Sequence, residues 1–209
     1  LPMLYDRLLP PEGEFKNCPS LSQAVDGADW VQESVPEVLS LKHKVLHQIE
    51  AACPAAALIG SSTSGFKPSD LQKDAAHPSR IFVAHPVNPV YLLPVVELVA
   101  SPQTDSRVTS SARDTLTELG MHPIEIKKEI EAHVADRLLE AIWREALWLI
   151  KDDIATTKDI DDLIRYGFGL RWAQMGLFET YRIAGGADGL PHFLEQFGPC
   201  LSLPWTKLT

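Results

Sequence analysis

The chain has 209 residues, of which 45% are hydrophobic and 22% are charged, an ordinary balance for a globular protein with a packed core. This composition excludes disordered and collagen-like chains. With 19 basic and 28 acidic residues the formal net charge is −9, and Lys and Arg form no cluster, so we expect no nucleic-acid partner.

The cysteines and the apolar segments indicate the cellular location of the protein. Cys18, Cys53 and Cys200 are odd in number and form no CxxC pair, so we expect neither a disulfide framework nor a metal site, and a reducing, cytoplasmic location. No stretch reaches the roughly 18 apolar residues that cross a bilayer, so we expect no membrane segment. Leu1–Phe15 has no initiating Met and no signal-peptide pattern, which predicts a fragment without a secretory signal.

The first part of the chain alternates between predicted strands and helices. Four short apolar segments are typical of strands: Ala28–Val35, Ala56–Thr63, Arg80–Val87 and Val95–Ala100. Leu39–Ala52 lies between the first two and carries apolar residues at helical spacing. Strands joined by an amphipathic helix favour parallel pairing, so we predict an α/β sheet. Ser106–Leu119, ended by Gly120, is a further predicted helix, and Ile124–Ile126 is predicted as an edge strand.

Near Glu129 the pattern becomes helical. His133–Lys151 contains no Gly or Pro and has apolar residues on several sides, which predicts a helix with more than one packed face. We therefore predict an α/β domain over residues 1–128 and an all-helical domain over residues 129–209.

Two shorter helices are predicted in the second domain. The first covers Lys158–Tyr166, with Thr156 and Asp159 as a capping box and Gly167 as its stop. The sequence after Gly167 is rich in aromatic residues and glycine, and it leads to a short helix around Leu190–Phe197.

Three polar residues stand out in the α/β part. Ser64 follows the second predicted strand and His85 lies near the end of the third, at the sheet edge where ligands bind in open parallel sheets. His85 can accept a proton near neutral pH, or it is a structural residue; Ser64 alone is equally typical of a turn. Glu97 lies in the apolar segment VVELVA, where an unpaired carboxylate costs several kcal/mol. We therefore expect Glu97 to pair with His85 and fix its tautomer.

Ser64, His85 and Glu97 are 21 and 12 residues apart, and the histidine lies in the motif HPVNP. In these features, and over essentially all 209 residues, the sequence resembles the L-3-hydroxyacyl-CoA dehydrogenase family, whose members oxidise a secondary alcohol with NAD. The stretches HPVNPVYLLPVVELV and HVADRLLEAIWREALWLIKD resemble the branch that acts on L-carnitine more than the acyl-CoA or L-gulonate branches. The resemblance implies the later part of a Rossmann-type NAD-binding domain followed by a helical substrate and dimerisation domain.

The resemblance also implies roles for single residues. His85 is the expected general base and Glu97 its orienting partner, while Ser64 is expected to touch both the substrate hydroxyl and the cofactor. Glu37 and Lys42 fall where the family contacts NAD; taken alone, they are typical of an exposed pair that opens a helix.

Further residues are expected to bind cofactor or substrate. Asn88 is expected on the nicotinamide side, the alternative being a turn residue ahead of Pro89. Asp136 stands where the family has a substrate-holding Asn; an anion there suits a cationic substrate, and the alternative is a surface aspartate paired with His133. The quaternary ammonium of carnitine donates no hydrogen bond, so we expect aromatic faces around it. The candidates, whose alternative is packing in a core, are Tyr91, Phe168, Trp172, Phe178 and Tyr181.

None of the twelve glycines forms the GxGxxG pattern with which the family begins. By comparison with the family, we expect the chain to start inside the nucleotide-binding domain and to end within an incomplete helical domain, with weak NAD binding and exposed sheet edges. Three functions stay open: oxidation of L-carnitine, the same chemistry on an acyl thioester or a sugar acid, and a noncatalytic relative of the crystallin kind. The family also implies a homodimer.

Overall fold

The computed structural model describes residues 13–199. Within them the chain divides into two compact units that meet in sequence at Asp136 and Arg137. Cys18 and Cys53 carry free thiols, whereas Cys200 lies outside the described residues. No helix within residues 13–199 is both long and apolar enough to cross a membrane.

The first unit is built from five strands with helices between them. Its strands are β1 (Trp30–Glu33), β2 (Leu58–Ser61), β3 (Ile81–Pro86), β4 (Val95–Val99) and β5 (His122–Ile126). Its helices are α1 (Leu21–Val25), α2 (Leu39–Ala52), α3 (Pro68–Leu71) and α4 (Ser106–Glu118), with a 3-10 turn over Pro78–Arg80. The predicted strands and helices of this part are confirmed, and their ends shift by at most two residues.

The strands form one sheet in the order β1-β2-β3-β4-β5. The pairs β1–β2, β2–β3 and β4–β5 are parallel, as predicted. The pair β3–β4 is antiparallel, so the predicted parallel pairing is wrong at this point. The cause is the length of the connection, because residues 87–94 are too few for the helical crossover that parallel strands need. This antiparallel register places His85 directly opposite Glu97.

Strand β3 is buried on both faces. One apolar cluster packs α2 and α3 against the sheet and contains Leu46, Ile49, Ile59, Leu71, Ile81, Val83 and Val99. The other packs α4 against the opposite face and contains Phe82, Ala84, Val96, Leu98, Ala112 and Leu116. Successive side chains of a strand point to opposite faces, so β3 contributes to both clusters. The strand that carries His85 is therefore fixed from both sides.

The second unit is helical. Helix α5 (Ala135–Lys151) begins at the end of the first unit and is followed by α6 (Thr157–Leu163), a π-helical turn (Ile164–Phe168), α7 (Gly169–Ala184), a 3-10 turn (Gly186–Asp188) and α8 (Gly189–Phe197). The three predicted helices of this part are confirmed as α5, α6 and α8. Thr156 and Asp159 form the predicted capping box, since each side chain accepts a hydrogen bond from the backbone N–H of the other.

Helix α7 was not predicted. Gly167, expected to end the preceding helix, instead lies in the π-helical turn with non-helical angles, and the chain continues directly into α7. The glycines of this segment argued against a helix, because each glycine inside a helix costs about 1 kcal/mol of stability relative to Ala. Gly176 has φ 72° and interrupts the regular geometry in the middle of α7.

Candidate active site

A buried histidine and glutamate on neighbouring strands form a hydrogen-bonded pair. His85 on β3 and Glu97 on β4 are 5% and 3% exposed, and His85 Nδ1 lies 2.9 Å from Glu97 Oε2. The pair forms because the two residues are direct register partners on adjacent strands. The contact predicted from the apolar surroundings of Glu97 is therefore present.

Glu97 is also held by the start of α5. Its Oε1 accepts hydrogen bonds from the backbone N–H of Val134 at 2.9 Å and of Ala135 at 3.0 Å. Burial opposes ionisation, but the hydrogen bonds from His85 and from these two amides outweigh it and keep the pKa of Glu97 below its usual range. An ionised carboxylate only accepts hydrogen bonds, so His85 donates through Nδ1–H and its Nε2 remains the proton acceptor.

A second histidine, His133, lies beside the first. Its ring centroid is 5.4 Å from that of His85, and the residue is fully buried. Its Nε2 is 3.0 Å from the carbonyl oxygen of Thr63, in the turn that follows β2. The backbone N–H of Ala132 donates to the carbonyl of Gly65 at 3.0 Å. These two contacts hold the turn of residues 63–65 next to the pair.

Ser64 occupies the middle of that turn. Its neighbour Thr63 is buried, while Ser64 itself is exposed. Its hydroxyl forms no hydrogen bond with any residue between 13 and 199, so both its donor and its acceptor functions are available to a ligand.

Lys42 lies in a buried network rather than on the surface. Its side chain is 1% exposed, and Nζ is 3.1 Å from Glu33 Oε1, 3.1 Å from the carbonyl oxygen of Val35 and 3.2 Å from Glu37 Oε2. An ammonium group has three N–H donors, and these three acceptors use them all. The alternative of an exposed pair is therefore wrong for Lys42, and direct contact with NAD stays a prediction that this geometry does not favour.

Glu37 connects the network to the turn that carries Ser64. Its Oε1 accepts hydrogen bonds from the Thr63 hydroxyl and from the backbone N–H of Gly65, the latter at 2.9 Å. Burial raises the pKa of Glu37, but these bonds and the adjacent Lys42 ammonium lower it below its usual range. The Glu37 side chain is 43% exposed, so its carboxylate can still meet a ligand.

The remaining candidates of the first unit lie at its surface. Asn88 and Tyr91 are exposed in the connection between β3 and β4. Asp136 is half-buried in the first turn of α5, where the helix dipole favours a carboxylate. Asp136 forms no ion pair with any described residue, and His133 bonds to Thr63 instead, so the alternative of an Asp136–His133 pair is wrong.

The four other aromatic candidates belong to the second unit. The rings of Phe168 and Trp172 lie 4.7 Å apart between centroids. Phe168 and Tyr181 both line an apolar cavity of about 620 Å³ between α5, α6 and α7. Phe178 is 75% exposed, so the structure does not group it with them.

Three buried residues of this region were not found from the sequence. Glu33 and Thr63 hold the Lys42–Glu37 network, and His133 holds the Ser64 turn. Glu33 did carry a signal, since it lies within the predicted strand Ala28–Val35 and is a carboxylate like Glu97. The contact of His133 with the Ser64 turn could not be predicted, because its partner Thr63 lies 70 residues earlier in the chain.

Two family models together match most of the chain. The NAD-binding domain of 3-hydroxyacyl-CoA dehydrogenase matches residues 13–130, and the C-terminal domain of the same family matches residues 133–205. The chain belongs to the 3-hydroxyacyl-CoA dehydrogenase family. The match confirms the resemblance seen in the sequence and places the His85–Glu97 pair in the family's NAD-binding domain.

Members of this family with similar sequences include proteins named for carnitine. The chain is 60% identical to the L-carnitine dehydrogenase/betainyl-CoA thioesterase of Ruegeria pomeroyi, over 100% of this chain and 43% of that protein. It is 58% identical to the L-carnitine dehydrogenase of Mesorhizobium japonicum, over 96% of this chain and 55% of that protein. The chain thus spans about half the length of these curated relatives.

Solved structures with similar sequences share the fold. A 5-formyl-3-hydroxy-2-methylpyridine 4-carboxylic acid 5-dehydrogenase, described as an NAD⁺-dependent dismutase, aligns with a TM-score of 0.82 at 28% identity, over 91% of this chain and 60% of that one. A 3-hydroxyacyl-CoA dehydrogenase from Archaeoglobus fulgidus aligns with a TM-score of 0.69 at 26% identity, over 84% of this chain and 61% of that one.

The described residues suit one end of NAD, the cofactor of the family. The free Ser64 hydroxyl and the reachable Glu37 carboxylate are groups that hydrogen-bond ribose hydroxyls and a carboxamide. A pyrophosphate is usually held by a glycine-rich turn at a helix N-terminus, and residues 13–199 contain no such GxGxxG turn. These residues therefore suit the nicotinamide end of NAD and not its pyrophosphate.

Proposed function

We propose that the chain carries the catalytic residues of an NAD-dependent dehydrogenase that oxidises the 3-hydroxyl of L-carnitine to 3-dehydrocarnitine. The observation that carries the proposal is the buried His85–Glu97 pair, with Nδ1 and Oε2 2.9 Å apart. The choice of L-carnitine is supported by relatives that are 57–62% identical and named L-carnitine dehydrogenase.

In this proposal His85 is the general base. Glu97 holds Nδ1–H, so Nε2 has a free lone pair that takes the proton of the substrate hydroxyl. When bound, NAD would accept the hydrogen on C3 as a hydride. Loss of the proton and the hydride converts the C3–O single bond into a carbonyl. The ionised Glu97 then stabilises the imidazolium that His85 has become.

The turn after β2 positions the substrate oxygen. The free hydroxyl of Ser64 hydrogen-bonds the reacting oxygen and the cofactor, while Glu37 binds the cofactor and Lys42 holds Glu37 in place. Asn88, exposed after β3, is assigned to the nicotinamide side.

A quaternary ammonium needs negative charge or aromatic faces, because it cannot donate a hydrogen bond. In the first unit we assign Asp136 and Tyr91 to this task. For the second unit, a substrate role of Phe168, Trp172, Phe178 and Tyr181 stays a prediction. We expect Trp172→Ala to raise the KM for carnitine severalfold, since one cation–π contact is worth roughly 0.5–2 kcal/mol, and to leave NAD affinity unchanged. An unchanged KM would remove Trp172 from the substrate site.

The proposal is tested with the protein at its full natural length, by NAD reduction with L-carnitine, a 3-hydroxyacyl-CoA thioester and L-gulonate as separate substrates. L-carnitine is expected to react fastest. His85→Gln should lower its kcat/KM by about 10²–10⁴-fold, the usual contribution of general acid–base catalysis. The matched control is His122→Gln, because His122 is exposed on β5. Preference for another alcohol would change the substrate, and no reaction with any would favour a noncatalytic relative.

We also propose that the protein is a cytoplasmic homodimer. The free thiols of Cys18 and Cys53 support a reducing compartment. Large apolar side chains exposed along α5 support an interface with a second copy; among them Trp143 is 57% exposed.

A further inference from the structure

His133 has an unusual setting that the proposed reaction does not yet use. The residue is fully buried, and its Nδ1 has no hydrogen-bond partner among the described residues. The centroid of its ring lies 5.4 Å from that of His85, and the two ring planes are tilted by 51°. A buried polar atom without a partner is uncommon, because leaving one unpaired costs stability.

The tautomer of His133 follows from its other nitrogen. Nε2 lies 3.0 Å from the carbonyl oxygen of Thr63, and a carbonyl oxygen can only accept a hydrogen bond. Nε2 therefore carries the hydrogen. Protonating Nδ1 as well would create a buried cation whose new N–H has no acceptor, directly beside His85.

The backbone at Ala132 and His133 has an intrinsically unfavourable conformation. Ala132 and His133 have φ values of 59° and 46°, in the left-handed region that residues with a Cβ rarely occupy. Such a conformation persists where surrounding contacts determine it. Here those contacts are the bonds from Ala132 and His133 to the turn after β2, and those from the next two amides to Glu97.

We propose that His133 is a positioning residue that acts as an uncharged imidazole: its Nε2–H holds the Ser64 turn against the His85–Glu97 pair, and its bare Nδ1 leaves His85 as the histidine of this site that takes the proton. The proposal rests on the proposed function for its catalytic consequence. Ionisable groups near His133 include His85 on β3, and Glu97 on β4, which accepts hydrogen bonds from the two amides that follow His133. They also include Glu37, which accepts a hydrogen bond from the Thr63 hydroxyl, and Asp136, three residues further along the chain. These carboxylates favour a proton on a nearby imidazole, and of the two histidines only His85 bonds directly to one of them.

The first test measures the tautomer in the chain itself by NMR of ¹⁵N-labelled histidine, with His133→Gln and His85→Gln used for assignment. His133 is expected to show a protonated Nε2 and an unprotonated Nδ1, and His85 is expected to show a protonated Nδ1. A proton on Nδ1 of His133, or an unprotonated Nε2, would overturn the proposal.

The second test compares three substitutions at the full natural length of the protein. Gln places an N–H donor near the position of Nε2, so His133→Gln should retain most of the activity. His133→Phe keeps a ring without a donor, and His133→Asn tolerates the left-handed backbone but does not reach Thr63. Both should lower kcat/KM for the alcohol by about 10–100-fold, the scale of a misplaced reacting group.

The two tests separate this inference from the proposed function. If none of the alcohols supports NAD reduction by the unchanged protein, the proposed function fails. The NMR experiment still decides which ring nitrogen of His133 carries the hydrogen. If His133→Phe does not fold, the comparison of Gln with Asn remains. Full activity of His133→Asn, or equal losses for Gln and Asn, would contradict the positioning role.

Discussion

Glu97 illustrates how single hydrogen bonds decide the chemistry of a residue. Without them a carboxylate buried in an apolar strand would be driven to its neutral form, and it would then compete with His85 for the shared hydrogen. Three donors prevent this: the imidazole of His85 and the amides of Val134 and Ala135. These amides lie at the start of a helix, whose dipole also favours a negative charge. The acid–base role assigned to His85 thus depends on backbone groups remote in sequence.

This setting predicts how stability depends on pH. Because the pKa of Glu97 is lower in the folded protein than in the unfolded chain, its stabilising contribution is complete above the usual carboxyl range and is lost as the pH falls through the lower, folded-state value. Glu97→Gln should therefore destabilise the protein at neutral pH and make the loss of stability on acidification shallower. Urea unfolding between neutral and acidic pH measures this.

The control for that experiment is Glu125→Gln. Glu125 is half exposed on β5 and pairs with Arg113 at the surface, where ion pairs contribute little. We expect its pH dependence to match that of the unchanged protein. Parallel curves for Glu97→Gln and Glu125→Gln would show that Glu97 is not held as an anion.

At the scale of whole elements, the sequence predicted what local patterns encode. Apolar runs flanked by turn residues located the strands, and helical spacing gave α2 its observed ends, Leu39 and Ala52. Glu97 was recognisable because a carboxylate in an apolar strand needs a partner. The reversal of β4 was readable from its short connection to β3. The burial of Lys42 and the contact of His133 were not predictable in this way, because each depends on which elements become neighbours.

The Lys42 network predicts a strong link between β1 and α2. Lys42→Met should destabilise the chain by about 3–5 kcal/mol, because it leaves Glu33 as a buried carboxylate without its cation. The double variant Lys42→Met/Glu33→Gln should recover part of this loss. Urea unfolding measures both.

A neighbouring lysine provides the control for this network. Lys44 is exposed on the same helix, so Lys44→Met should change the free energy of unfolding by no more than about 0.5 kcal/mol. Similar effects at the two positions would show that the ion pair does not stabilise the link between β1 and α2.

At the scale of the whole molecule, the two units differ in how they bury apolar surface. The sheet of the first unit has both faces covered, by the clusters of α2 with α3 and of α4. In the second unit, α5 leaves large side chains uncovered, and Leu139, Trp143 and Leu147 recur every four residues along one face. An apolar helix face of this kind marks an interaction surface, and a second copy of the chain is the partner proposed for it.

The proposed dimer can be tested by sedimentation velocity. We expect a species of twice the 23.1 kDa chain mass for the unchanged chain. Trp143→Glu should shift it to the monomer, because an interface would have to bury an unpaired carboxylate at a cost of several kcal/mol. Arg144→Ala changes an exposed polar residue of the same helix and should leave the dimer intact. A monomeric unchanged chain, or a dimer that survives Trp143→Glu, would mean that this face of α5 does not join two copies.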